Sequence, residues 1–163
     1  MRPTSITLQK KWSQRVSVQA GPFDAAAEAR ALTAGRKDVG AVVTFVGLCR
    51  DEGGTLAALE LEHYPGMAEE EMARVIAEAR ARWPLMGATA VHRYGKIAPG
   101  EEIVLVVAAS AHRAAAFAAA EFLMDYLKTR APFWKKEHHK DGSSGDWVAA
   151  KDADDAAAER WGK

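Results

Sequence analysis

The chain has a single cysteine, Cys49, among 163 residues. A lone thiol excludes an intramolecular disulfide and any zinc site built on thiolates. It fits a reducing compartment, so a cytoplasmic location is expected. Net charge is also lacking: 22 Lys plus Arg offset 22 Asp plus Glu. A general nucleic-acid binder carries a basic excess, and a disordered acidic chain an acidic one, so both classes are disfavoured. No long hydrophobic run is present. The most apolar stretch, Ile103 to Ala109, is far shorter than the ~20 residues of a membrane span. Residues 1–20 hold Arg2, Lys10, Lys11 and Arg15 with no acid and no apolar segment, which excludes a secretory signal.

Familiar catalytic motifs are missing as well. No GxGxxG follows a strand, and GxxxxGK[ST], HExxH and GxSxG do not occur. Of the five histidines, His63, His92, His112, His138 and His139, only the last two adjoin, and adjacent side chains point apart. No metal site and no cofactor are expected. The length suits one domain with its own core. Residues 1–14 read as a flexible N-terminal extension and 15–163 as the domain.

Periodicity then sets the elements. Residues 15–20 alternate as a strand, and the alanine-rich segment 23–34 reads as a helix with Asp24 near its start and Gly35 past its end. Residues 40–47 form a buried-type strand, 48–55 a polar Gly-Gly loop, and 56–64 a strand with one wet face. Met67 to Arg82 carries Met72, Val75, Ile76 and Ala79 on one face and is stopped at Trp83-Pro84. Strands are expected at 88–94 and 102–109, joined through Pro99-Gly100. Ser110 is the expected N-cap of a helix over 111–129. Residues 131–145 read as a loop, 146–150 as a short strand and 152–161 as a last helix. This order predicts an α+β fold with a mixed, mainly antiparallel sheet.

Charge stands out at four places. His112 and Arg113 fall in the first turn of a helix, where cations oppose the helix dipole. Either they reach solvent, or with the free N–H groups they hold an anion such as phosphate. Lys128-Thr129-Arg130-Ala131-Pro132-Phe133-Trp134-Lys135-Lys136-Glu137 begins with cations that suit a helix C-terminus. It continues with two large aromatics beside lysines, a setting for a lysine near a lined pocket. Arg50, after a strand end, is placed to hold phosphate or carboxylate. Its neighbour Cys49 reads as a small buried hydrophobe. His63, in an amphipathic strand, reads as structural.

Together, GAVVTFVGLCR (40–50), LELEHYPGM (59–67), ARWP (81–84), VHRYGKIAPGE (91–101), SAHRAAAF (110–117) and MDYLKTRAPFWKKE (124–137) resemble the large, catalytic subunit family of molybdopterin synthase. The matching segments run in order from about Val16 to Trp161. The resemblance implies an α/β hammerhead-type fold with an added antiparallel sub-domain. It implies a sulfurtransferase that converts cyclic pyranopterin monophosphate (precursor Z) to the molybdopterin dithiolene, in molybdenum cofactor biosynthesis. The sulfur donor would be the C-terminal Gly-Gly thiocarboxylate of a small ubiquitin-like partner, with a homodimer of large subunits inside a heterotetramer. Residue by residue, it places Lys128 and Lys135 beside the partner's tail as catalytic groups. Arg50, His112 and Arg113 would bind the substrate, and Phe45, Met124, Arg130 and Glu137 would support the pocket. Lys151 stands where the family pattern is expected to carry a substrate-binding arginine; it keeps the charge but loses the two-pronged fork. The 138–145 loop also departs from that pattern.

One expectation is geometric. Arg113 and Lys128 are 15 residues apart on one helix, hence ~22 Å apart at 1.5 Å per residue. A small ligand meeting both therefore requires two copies of the chain, with the site at or near a dimer interface.

Overall fold

The structure is a computed structural model that describes residues 12–149 and 152–162. Eleven elements follow one another: β1 (Ser13–Gln19), α1 (Ala25–Thr33), β2 (Ala41–Leu48), β3 (Leu56–His63), α2 (Met67–Arg82), β4 (Leu85–Arg93), β5 (Gly95–Ile97), β6 (Glu102–Ser110), α3 (Arg113–Thr129), β7 (Phe133–His139) and α4 (Asp152–Glu159). They make an α+β fold with two sheets. The larger has the order β1-β4-β6-β2, with β1 parallel to β4 and the other pairs antiparallel. The smaller is antiparallel, ordered β5-β3-β7.

The apolar run at 103–109 is explained by its central position. Val106 and Ala108 of β6 face α2 and α3, packing with Met72, Ile76, Phe122 and Leu123. Leu105, Val107 and Ala109 face the other way, onto Leu32 of α1. A strand covered on both faces needs an unbroken hydrophobic sequence. Alanines 116, 119 and 120 are buried on α3, and their small side chains let the helix lie close to the sheet. Asp24 caps α1 by accepting the Ala27 N–H at 3.0 Å. Glu69 caps α2 by accepting the Gly66 N–H at 2.8 Å. At the far end of the core, Trp161 packs edge-on to Trp83 and Phe122, with centroids 5.6 Å from each.

Several boundaries differ from expectation. The first strand starts at Ser13, so it takes in two residues assigned to the extension; residues 1–11 lie outside the described residues. Ser110 is not the N-cap of α3. It is the last residue of β6, paired with Ala41 and Leu85, and its hydroxyl donates to the Pro84 carbonyl oxygen. The cap is His112, with extended backbone and no capping side-chain bond. The expected loop at 131–145 contains β7, and the short strand at 146–150 reduces to a bridge between Val148 and Lys135. The sequence FWKKEHH lacks alternating polarity; pairing with β3, from His63 opposite Phe133 to Leu56 opposite His139, makes it a strand. β5 was not expected either, being three residues that lean on β3.

Candidate active site

β2 ends where its backbone is tied to the turn at 98–101. The Cys49 N–H donates to the Glu101 carbonyl at 2.8 Å, and the Gly100 N–H donates to the Cys49 carbonyl at 2.7 Å. Cys49 turns inward beside Ile97, and burial raises its thiol above the ordinary value, leaving a protonated group. The next side chain, Arg50, points out into a cleft and pairs with Glu52. The loop beyond is ordered by Asp51. Partial desolvation works against its ionised form, but the N–H groups of Leu56, Gly54 and Gly53 outweigh this and hold the carboxyl below the usual range.

The cleft has a volume of about 610 Å³. Arg50, Lys128, Lys135, Glu137 and His139 line it over an apolar floor that includes Leu56, Leu59 and Ile103. These groups come from α3, from β7 and from the loop after β2. Lys128 stands in the last turn of α3, just before Ala131-Pro132 ends the helix. Lys135 is on β7, opposite Leu61 of β3. On its other side its backbone exchanges two hydrogen bonds with Val148, at 2.9 and 2.8 Å. Lys135 is thus held by main chain on both flanks.

Lys128 also lines a second groove, of about 510 Å³. Phe45, Phe117 and Met124 line that groove with Asp125 and Glu121. Two of its aromatics are unusually open for a monomer: Phe45 is 42% exposed and Phe117 61%. Phe45 belongs to β2, an edge strand of the larger sheet. A third, small cavity of about 60 Å³ lies under the C-terminus of α3 and has His92, Phe133, Lys128 and Lys135 in its walls.

The remaining expected site residues are elsewhere. His112 and Arg113 are exposed at the N-terminus of α3 and line none of these three cavities. Arg130 turns away from the cleft, pairs with Glu78 of α2 at 2.7 Å and stacks over Tyr126 at 4.2 Å. Lys151 lies outside the described residues. His92 and His139 also enter the cavity walls, although neither was expected as a site residue. A histidine at a strand end beside a Tyr-Gly turn was the one available sign for His92. Among the described residues, no group of three His, Cys, Asp or Glu side chains is placed to hold a metal ion. No helix among them is long and apolar enough to cross a membrane.

Arg50, two lysines from separate elements and an anion-sized polar cleft can be set against known proteins. A family model described as MoaE protein matches residues 18–130. This chain belongs to the MoaE family. It is 70% identical over 146 residues to the molybdopterin synthase catalytic subunit of Mesorhizobium japonicum, covering 90% of this chain and 92% of the relative. It is 50% identical over 149 residues to that of Salmonella typhimurium, covering 90% and 97%. Among solved structures, a MoaE protein from Burkholderia ambifaria superposes with a TM-score of 0.79 at 48% identity, covering 92% of this chain and 99% of that one. The molybdopterin synthase of Staphylococcus aureus gives 0.73 at 30% identity, covering 81% and 95%. The MoaE match runs from the end of β1 through Lys128 to the end of α3 and stops before β7.

Proposed function

We propose that this chain is the catalytic subunit of a molybdopterin synthase. It moves two sulfurs from the thiocarboxylate tail of a small ubiquitin-like partner onto cyclic pyranopterin monophosphate, forming the dithiolene of molybdopterin. The convergence of Arg50, Lys128 and Lys135 on one cleft, from the loop after β2, α3 and β7, carries the reading. A phosphate-bearing substrate and an anionic sulfur donor repel each other in water, and fixed cations offset that repulsion. Each transfer uses one tail: its sulfur bonds to a substrate carbon, water then cleaves the acyl C–S bond, the sulfur stays on the substrate, and the tail leaves as a carboxylate whose charge a lysine holds. Lys128 and Lys135 are the catalytic pair in this reading, and lysines also serve to move protons as the thiols add. Arg50 binds the substrate phosphate or ring, Glu137 supports the rim, and Phe45 and Met124 shape the side of Lys128 that faces the second groove. Arg130 contributes indirectly, by fixing the end of α3 to α2.

His112 and Arg113 act on substrate in a second copy of the chain. The ~22 Å between Arg113 and Lys128 along α3 supports a composite site. So do the exposed Phe45 and Phe117, which lie between those two ends and suit burial against a twin. The assembly is a homodimer carrying one small subunit at each end. The hammerhead description fits the four-stranded sheet, with the β5-β3-β7 sheet as the added sub-domain, and the single buried thiol fits the cytoplasm. The residues before β1 play no part in this reading.

The test is conversion of precursor Z by the purified chain with its thiocarboxylated partner. Lys128→Ala should lower turnover by ~10²–10³-fold, the scale of removing one preorganised charge-stabilising group, while the circular dichroism spectrum is unchanged. Turnover equal to wild type refutes the role of Lys128. Stable complex formation with no conversion by the wild-type chain would favour a non-catalytic scaffold.

A further inference from the structure

Lys128 and Lys135 reach the cleft from different layers. Lys128 rides α3, which packs on the four-stranded sheet, while Lys135 belongs to the three-stranded sheet. Their mutual placement depends on how the two sheets are seated. The chain passes from one sheet to the other at Tyr94, where β4 gives way to β5. Two stacked rings span the same junction. His92 of β4 lies on Phe133, the first residue of β7, with centroids 3.7 Å apart and planes 14° from parallel. His63 of β3 completes the group, 6.1 Å from Phe133 and 4.6 Å from Tyr94. Its Nδ1 is buried with no hydrogen-bond partner among the described residues. The 60 Å³ cavity is walled by the same two stacked rings and by both lysines.

The state of the His92 ring is set locally. Its Nδ1 is 2.8 Å from the Arg93 carbonyl oxygen, which only accepts, so Nδ1 carries the proton. That carbonyl is held still because Arg93 is buried and its guanidinium donates to the Ala20 and Glu102 carbonyls. An added proton would go to Nε2. The titratable groups facing the ring are Lys128 of α3, His63 of β3 and, across the small cavity, Lys135 of β7. All three are cations when protonated. Burial first, and then the charges of Lys128 and His63, outweigh the bond to Arg93 and push His92 down to about 4.

We infer that His92 is a positioning residue: as a neutral ring stacked on Phe133, it seats β7 against α3 and holds Lys135 opposite Lys128. The inference rests on the catalytic roles given to the two lysines above. A smaller side chain at 92 leaves a void into which the start of β7 settles. A charged ring adds a third cation beside the pair. A neutral aromatic of similar size avoids both.

Four variants of the full chain separate these effects: His92→Ala, His92→Phe, Phe133→Ala and the double His92→Ala/Phe133→Ala. With the thiocarboxylated partner, His92→Ala should lower kcat by about tenfold or more with KM for precursor Z little changed, the pattern of lost alignment. His92→Phe should keep most of kcat at pH 7 and flatten the acid limb of the kcat profile. The double variant His92→Ala/Phe133→Ala should be no worse than either single one. The second readout needs no reaction. On the chain alone, a short bis-succinimidyl reagent should link Lys128 to Lys135 in wild type and His92→Phe, and lose that link in His92→Ala, as read by mass spectrometry. Wild-type kcat or an unchanged cross-link in His92→Ala overturns the inference, as does His92→Phe being as impaired as His92→Ala. If His92→Ala fails to fold, the acid limb of His92→Phe decides: an unshifted limb overturns it. If the wild-type chain converts no precursor Z, the proposed function is refuted and the positioning role is decided by the cross-link alone: lost in His92→Ala it stands, kept it falls.

Discussion

Of the glycines, Gly40 leaves the least room for a side chain, and Gly40→Ala is a one-methyl test of the β2–β6–α3 junction. The Gly40 N–H donates to the Ser110 carbonyl at 3.0 Å. A Cβ on Gly40 would sit well inside van der Waals contact of the Ala111 carbonyl oxygen. That oxygen is backbone and cannot rotate away as a flexible side chain would. The only relief is to part β2 from the 110–112 segment, which breaks the Gly40–Ser110 bond and shifts the start of α3. Overpacking of this kind costs ~1–3 kcal/mol, and loss of the hydrogen bond adds about 1 kcal/mol. For a chain of this size, ~2–4 kcal/mol corresponds to a fall in Tm of roughly 5–15 °C. The assay is thermal and urea unfolding beside Gly145→Ala, where the added methyl meets nothing within 4 Å. If Gly40→Ala unfolds within about 1 °C of Gly145→Ala, the close approach of Gly40 to Ala111 is wrong. A second reading is available in the assembled enzyme. Displacement of His112 and Arg113 should weaken substrate binding more than it weakens binding of the partner protein.

Other outcomes follow from the same structure. The folded pKa of His92 lies near 4 against an ordinary 6.5, so between those values the unfolded chain binds the extra proton and the folded one does not. Stability should therefore fall as pH drops from about 6.5 to 4, by up to ~3 kcal/mol from this group; equal urea midpoints at pH 7 and 4.5 for wild type, with no difference from His92→Phe, would contradict it. Cys49→Ala should keep full conversion and lose only ~1–2 kcal/mol of stability, since the buried thiol is packing rather than a sulfur source; loss of sulfur transfer in a folded Cys49→Ala protein would overturn that. Arg113→Ala and Lys128→Ala should each lose most activity alone, yet regain activity when co-refolded. Each mixed dimer then holds one intact composite site, up to about half the wild-type sites, and no recovery would place both residues in separate functions.

What could be read in advance depended on whether the cause was local. α2 was delimited to the residue because its apolar face, its Gly66 start and its Trp83-Pro84 stop are all encoded within it. The double-sided burial of β6 was visible as an unbroken apolar run. The wide separation of Arg113 and Lys128 needed only the rise of a helix. β7 was hidden because its partner, β3, lies some seventy residues away and its own residues show no alternation. The cap of α3 was misplaced because Ser110, a good capping residue, is claimed by strand pairing with both β2 and β4. For the site, Lys128, Lys135, Arg50 and Glu137 do share a cleft, whereas Arg130 is taken by Glu78, an acid no nearby sequence could announce. The place of His92 is likewise a product of two sheets meeting.

The C-terminal segment does more than cover Phe122. Asp125 stands three residues before Lys128, the spacing at which a helix's own acid captures a lysine. Here that carboxylate already accepts the Trp161 indole N–H at 2.6 Å and the Arg160 guanidinium at 2.8 Å, and Arg160 also takes up Glu121. The segment behind α4 is thus a charge sink for α3. It engages the acids on the helix's flank and leaves the ammonium of Lys128 to act on whatever enters the cleft. Clipping the chain before Arg160 would return those acids to their own helix, and the first group they would reach is the lysine at its end.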